Sequence, residues 1–198
     1  YQTYGAGQAY DGCNTGHGTH VCGTAVGDQS FINPGNLTGN GMAYLAKIIM
    51  QDVGSDSPTA CSGGTLSVPA SLTAAYQSAY DLGARVHSNS WGGGDNSYTD
   101  RCTQIDHFMW THPDFLLFAS SGNSGPDQGT VHAPATAKNC VSVGATRQAL
   151  NQESVAWYSS RGPCADGRRK PTIMTPGGDE SLYIFSADNN ISNPPGPT

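Results

Sequence analysis

Charge is scarce in this chain. Only 12% of its residues are Asp, Glu, Lys or Arg, and the acids outnumber the bases to leave a formal charge of −6. The single basic run is Arg168-Arg169-Lys170. That excludes the clustered cations on which a nucleic-acid footprint depends, so no nucleic-acid partner is expected. Long apolar runs are missing too. No stretch approaches the roughly 20 residues of a membrane-spanning helix, and no signal-peptide pattern is present. The six cysteines, Cys13, Cys22, Cys61, Cys102, Cys140 and Cys164, never fall into the paired C-x-x-C spacing of a zinc site. No acidic loop has calcium-ligand spacing, so a calcium site is not readable here and no cofactor is expected. The chain opens on Tyr1 in mid-pattern, which reads as a processed or truncated product.

What is present points to a folded domain. A chain of 198 residues with 36% hydrophobic content suits one domain with a sizeable core. Twenty-six glycines imply many tight turns and close backbone approaches. An even cysteine count and two sequons, Asn36-Leu37-Thr38 and Asn190-Ile191-Ser192, lean towards a secreted protein with a few disulfides. Buried thiols in a reducing compartment remain the alternative. It fits Cys22 best, among small residues on a helix predicted over 18–26 and expected to be buried.

Further along, Ala46 to Met50 reads as a buried strand. Residues 51–64 read as a polar loop. Ser67 is the expected N-cap of a helix with Pro69 in its first turn. Leu72, Ala75, Tyr76, Ala79 and Leu82 recur on one face of that helix, and Gly83 ends it in a left-handed conformation. Arg85 to Trp91 reads as a strand, broken by Gly92-Gly93-Gly94. Ile105, Phe108, Met109 and His112 mark a second helix, stopped before Pro113. Phe115 to Ala119 and Val141 to Val143 are apolar strands. This alternation implies parallel pairing in a layered α/β domain, with function gathered at the carboxyl ends of the strands.

Two segments carry chemistry. In Gly16-His17-Gly18-Thr19-His20-Val21, a histidine at a helix start has an exposed ring, and the positive end of the helix disfavours imidazolium, which suits a general base. A capping or core histidine is the bland reading. A metal reading also exists, since His17 and His20 sit three apart, but the glutamate of H-E-x-x-H and a third ligand are missing. The second segment is Ser121-Gly122-Asn123-Ser124-Gly125, which by itself also suits a turn.

His-Gly-Thr-His-Val-x-Gly-Thr resembles the histidine motif of the subtilisin-like serine proteases, the subtilases. Four further segments resemble that family in the family's order: Gly41-Met42-Ala43 through Ile48, Ser88 to Gly93, Ala119 to Gly125, and Ser159-Ser160-Arg161-Gly162-Pro163 with Lys170-Pro171 and Pro176-Gly177. The similarity covers about residues 10–178. It implies a three-layer α/β fold with a mostly parallel central sheet, present in part, over 1–198, with 175–198 a divergent or disordered tail. It implies that His17 is the general base and then acid, that His20 is structural, and that Asn123 donates its amide to a tetrahedral oxyanion. Ser90, Trp91 and Gly92 would offer backbone groups to an extended peptide substrate. Ser120, Ser121 and Gly122 would form a wall of the pocket for the residue before the scissile bond. Ala133-Pro134 resembles a family position with a cis bond.

The family's Ser-His-Asp triad is incomplete here. Asp11 lies six positions before His17, in loop sequence without a preceding apolar strand, and reads as a turn residue. No Gly-Thr-Ser occurs, and Ser181, Ser186 and Ser192 have unmatched neighbours. The expected function is therefore a secreted serine endopeptidase whose Asp and Ser lie outside this chain. A non-catalytic peptide-binding domain is the rival.

Overall fold

The computed structural model describes residues 2–3, 16–30, 35, 39–57, 60–148, 152–178, 184 and 186–187. Two compact units are present, one within residues 1–70 and 184–198, the other within 71–183.

In the first unit, β1 (Gln2–Thr3) pairs in parallel with β2 (Gln51–Asp52). Helix α1 (His17–Val26) starts at Gly16, which has φ 46°. A helix end leaves carbonyls without intrahelical donors. Here Met42 N donates to Thr24 O at 3.1 Å and Ala43 N to Ala25 O at 2.8 Å. The Gly41-Met42-Ala43 segment thus closes the end of α1. No residue of α1 is buried, contrary to the expected buried helix, and Cys22 is half-buried with its thiol donating to Met50 Sδ at 3.5 Å.

Residues 46–50 are not a strand, and Ile48 is exposed. An apolar run becomes a strand only where a neighbouring backbone pairs with it, and the β1 register reaches only Gln51 and Asp52. The expected polar loop instead carries a hairpin, β3 (Gly54–Ser57) antiparallel to β4 (Ala60–Leu66). Main-chain pairing holds it without an apolar signature.

The second unit holds helix α2 (Leu72–Asp81), β5 (Val86–Asn89), helix α3 (Asp100–Thr111), β6 (Leu116–Ser120), β7 (Val141–Thr146) and β8 (Ile173–Pro176). The four strands form one parallel sheet in the order β5-β6-β7-β8. Parallel neighbours need crossover connections, which α3 and long loops supply. α2 begins at Ser71 rather than Ser67. Ser71 is extended and its Oγ accepts from Ala74 N at 3.2 Å, whereas Ser67 N is spent on Val53 O at 2.7 Å. Leu72, Ala75, Tyr76 and Ala79 are buried as their spacing predicts. Leu82 is 64% exposed because the helix has ended before it, and Gly83 takes φ 100°.

The core is aromatic. Tyr76, Phe108 and Phe115 meet with centroids 5.0–6.1 Å apart, and Leu117 is fully buried beside them. Register places Val86, Leu116, Phe118, Val141, Val143 and Ile173 on the opposite face of the sheet, where Val86 and Ile173 are exposed. One face of the sheet is therefore layered by helices, and on the other Phe118, Val141 and Val143 are half-buried. This is a partial three-layer α/β arrangement. Cys102, Cys140 and Cys164 are buried free thiols, and burial pushes the Cys140 thiol up to about 11. Asp11, Cys13, Asn36, Asn190, Ser181 and Ser192 lie outside the described residues, as does the side chain of Cys61. No helix among the described residues is long and apolar enough to cross a membrane.

Candidate active site

His17 is the first residue of α1 and is exposed. His20, one turn on, is tied down: its Nε2 lies 2.9 Å from Ile184 O, and Ser186 Oγ donates to its carbonyl at 2.6 Å. The two histidines thus differ in their surroundings, one open and one held. Among the described residues no group of three His, Cys, Asp or Glu could hold a metal.

Asn123 belongs to the second unit, on the loop that leaves the carboxyl end of β6. The loop is held from both sides. Ser121 is buried and its N–H donates to Val143 O at 2.8 Å. Ser160 N donates to Gly122 O at 3.0 Å, Ser124 N donates to Ser160 Oγ at 3.0 Å, and Gly125 N to Tyr158 O at 2.8 Å. Gly122 has φ 109°, and a Cβ there would lie 2.8 Å from Ser160 Oγ. Only glycine meets both demands comfortably. Between these anchors Asn123 is exposed, and its side-chain amide has no partner among the described residues.

Ser90, Trp91 and Gly92 continue from the carboxyl end of β5. Ser90 and Trp91 are half-buried and Gly92 is exposed. Asn89, just before them, is buried, with its amide donating to Tyr76 OH at 3.1 Å. Burial pushes that phenol well above its ordinary range, so it stays neutral as an acceptor. The segment 131–134 joins the two loops. Gly93 N donates to Ala133 O at 3.0 Å and His132 N donates to Ser121 O at 3.1 Å. Gly92 faces the same carbonyl, 3.1 Å from where its Cβ would be. The Ala133-Pro134 bond is cis. Ser90 to Gly93 and Ser120 to Asn123 are thus brought together around 131–134, at the carboxyl ends of adjacent parallel strands. A shallow depression lined by Met109, Trp110, Pro113 and Leu116 lies at the other end of β6.

The whole of this architecture matches one family. The family model described as the subtilase family covers residues 2–195. The chain belongs to the subtilase family. Among curated subtilase relatives, the serine protease/ABC transporter B family protein tagB of Dictyostelium discoideum is 36% identical over 90% of this chain and 13% of its own length. The minor extracellular protease Vpr of Bacillus subtilis is 33% identical over 74% of this chain and 16% of its own length. Among solved structures, Sphericase superposes with a TM-score of 0.70 at 25% identity, covering 96% of this chain and 61% of that one. This subtilase chain therefore spans a small fraction of the curated relatives it matches.

Two features of this candidate site were not legible in sequence. Ser159 and Ser160 stood out only as part of a motif, yet both are buried braces: Ser159 Oγ accepts from Ala145 N at 3.0 Å, and Ser160 Oγ carries the Asn123 loop. His132 gave no signal at all, being a lone histidine between Val131 and Ala133. Its Nε2 lies 2.8 Å from Ser124 Oγ, beside Asn123.

Proposed function

We propose that this chain is the central part of a serine endopeptidase. In this reading His17 takes the proton from a serine hydroxyl as that oxygen attacks the scissile carbonyl. It then returns the proton to the leaving amine. The tetrahedral oxyanion is met by the Asn123 amide, and a substrate backbone lies along Ser90, Trp91 and Gly92 as an added strand. Ser120, Ser121 and Gly122 wall the pocket for the residue before the scissile bond. The nucleophilic serine and the carboxylate behind His17 are supplied by sequence beyond the 198 residues.

The observation that carries this reading is Asn123. Its amide has no partner among the described residues, on a loop whose neighbours are fastened by Ser160, Val143 and Tyr158. A donor fixed in advance lowers the barrier selectively, because the negative charge it meets exists only in the transition state. An export route accords with the extracellular relative, although Cys22, Cys102, Cys140 and Cys164 are free thiols rather than disulfides.

The test is fluorophosphonate labelling and peptide hydrolysis by the longer gene product that contains this chain, beside the 198-residue chain alone. The longer protein is expected to label and cleave, His17→Ala to abolish most of both, and the short chain to do neither. Labelling of the short chain at Ser181, Ser186 or Ser192 would show that the nucleophile lies within it. A longer protein that binds peptides without labelling would establish a non-catalytic peptide-binding domain instead.

A further inference from the structure

The groove contains a polar pair that the reaction does not use. His132 is half-buried and Ser124 is exposed, and they meet through Nε2 and Oγ at 2.8 Å. The imidazole lies close to the loop as well: a Cβ on Gly122 would sit 3.0 Å from His132 Cδ2. The ring therefore touches both neighbours of Asn123. Its main chain is clipped to Ser121 O, and the next residue, Ala133, accepts from Gly93 and donates to Asp95 O at 3.3 Å. His132 thus stands between the wall formed by Ser120 to Gly122 and the segment that follows Ser90 to Gly92. The nearby carboxylate, Asp95, is engaged elsewhere: it accepts from Ser97 N at 3.0 Å and from Ser97 Oγ, which hold it below the usual carboxylate range.

We propose that His132 and Ser124 determine the substrate preference of this groove, selecting peptides whose residue on the acyl side of the scissile bond ends in a carboxyl or carboxamide group, of glutamate or glutamine length, over large apolar residues. This rests on the reading of Ser90 to Gly92 and Asn123 as a peptide groove. A carbonyl placed at Asn123 brings the preceding side chain to the wall that carries the His132–Ser124 pair. That pair uses one donor and one acceptor internally and leaves the hydroxyl with further hydrogen-bonding capacity. With the proton on His132 Nε2 donated to Ser124 Oγ, the hydroxyl hydrogen donates in turn to a carboxyl or carboxamide oxygen of the substrate. A phenylalanine or leucine would shut the pair away from water and replace none of its bonds, and sites built to hydrogen-bond a substrate discriminate strongly against analogues that cannot.

The experiment uses the longer gene product and four peptides identical except for Gln, Glu, Leu or Phe at the acyl-side position. Cleavage is read as kcat/KM. Equilibrium binding is read separately by fluorescence anisotropy in a His17→Ala background, where cleavage does not interfere. The wild type is expected to favour Gln, Glu or both over Leu and Phe by about tenfold or more in either measurement. His132→Gly should erase or reverse that ratio. Ser124→Ala, an exposed change that spares folding, should reduce it. An unchanged ratio in both variants overturns the proposal, as does a wild type that prefers Leu or Phe or binds none of the peptides. Selective binding that depends on His132 but comes with no cleavage and no fluorophosphonate labelling upholds the His132 assignment and sinks the peptidase reading alone.

Discussion

Replacing His87 by phenylalanine should make the protein more resistant to mild acid. His87 lies on β5, half-buried, with its imidazole edge-on to Tyr76 at a centroid distance of 4.8 Å and 6.0 Å from Phe115. Burial among these rings penalises the charged form and pushes the group down from 6.5 to about 4. Above pH 6.5 the folded and unfolded chains both hold neutral imidazole, and His87 has no effect on stability. Between pH 6.5 and about 4 the unfolded chain takes up a proton that the folded chain refuses, so stability falls as the pH falls. Below about 4 the folded chain protonates too and the loss levels off. The full loss is at most about 3 kcal/mol, since part of the residue keeps contact with water. For a domain of this size that corresponds to a melting temperature lower by roughly 6–12 °C. The exposed carboxyls that hydrogen bonds hold below 3.8, Asp28, Asp95, Asp114 and Asp166, all titrate beneath this window. Urea unfolding of wild type and His87→Phe at pH 7.5, 6, 5 and 4 isolates the effect. The gap between them should widen in favour of the variant as the pH drops. A gap that does not change with pH would refute the reasoning, because His87 would then be protonated as readily inside the fold as outside it.

In the longer gene product, Asn123→Ala should lower kcat by about a hundred- to a thousand-fold with little change in KM, measured by steady-state hydrolysis. Gly122→Ala should lower stability by about 1–3 kcal/mol in denaturant melts, because it combines a strained φ with a Cβ pressed on Ser160 Oγ. Phe108→Ala should cost about 3–5 kcal/mol by the same measurement, since it empties the centre of the Tyr76–Phe115 cluster. Ser71→Ala should cost about 1 kcal/mol through the lost bond to Ala74 N. Cys140 should resist alkylation by iodoacetamide at pH 8 until the protein is unfolded, as followed by mass spectrometry, because its thiol is buried and held at about 11.

The sequence by itself determined which face of α2 turns inward. Leu72, Ala75, Tyr76 and Ala79 repeat at the helical period, so their common face had to be the buried one wherever the helix packed. Phe115 to Ala119 is too apolar to lie at the surface throughout, and Gly83 marks a helix end because few other residues adopt its φ. The motifs around His17 and Asn123 were visible as well, because their residue types are local and ordered. Boundaries were less legible. Ser67 and Ser71 are equally good caps in isolation, and in the fold it is Ser71 whose Oγ accepts from Ala74 N and begins the helix. Strand formation over 46–50 failed for a related reason: a strand is a property of two backbones, and the partner lies far off in sequence. The braces of the Asn123 loop and the His132–Ser124 pair were decided by tertiary structure alone. They join residues 8 to 38 positions apart, and no local period reports which partner a backbone N–H will meet there.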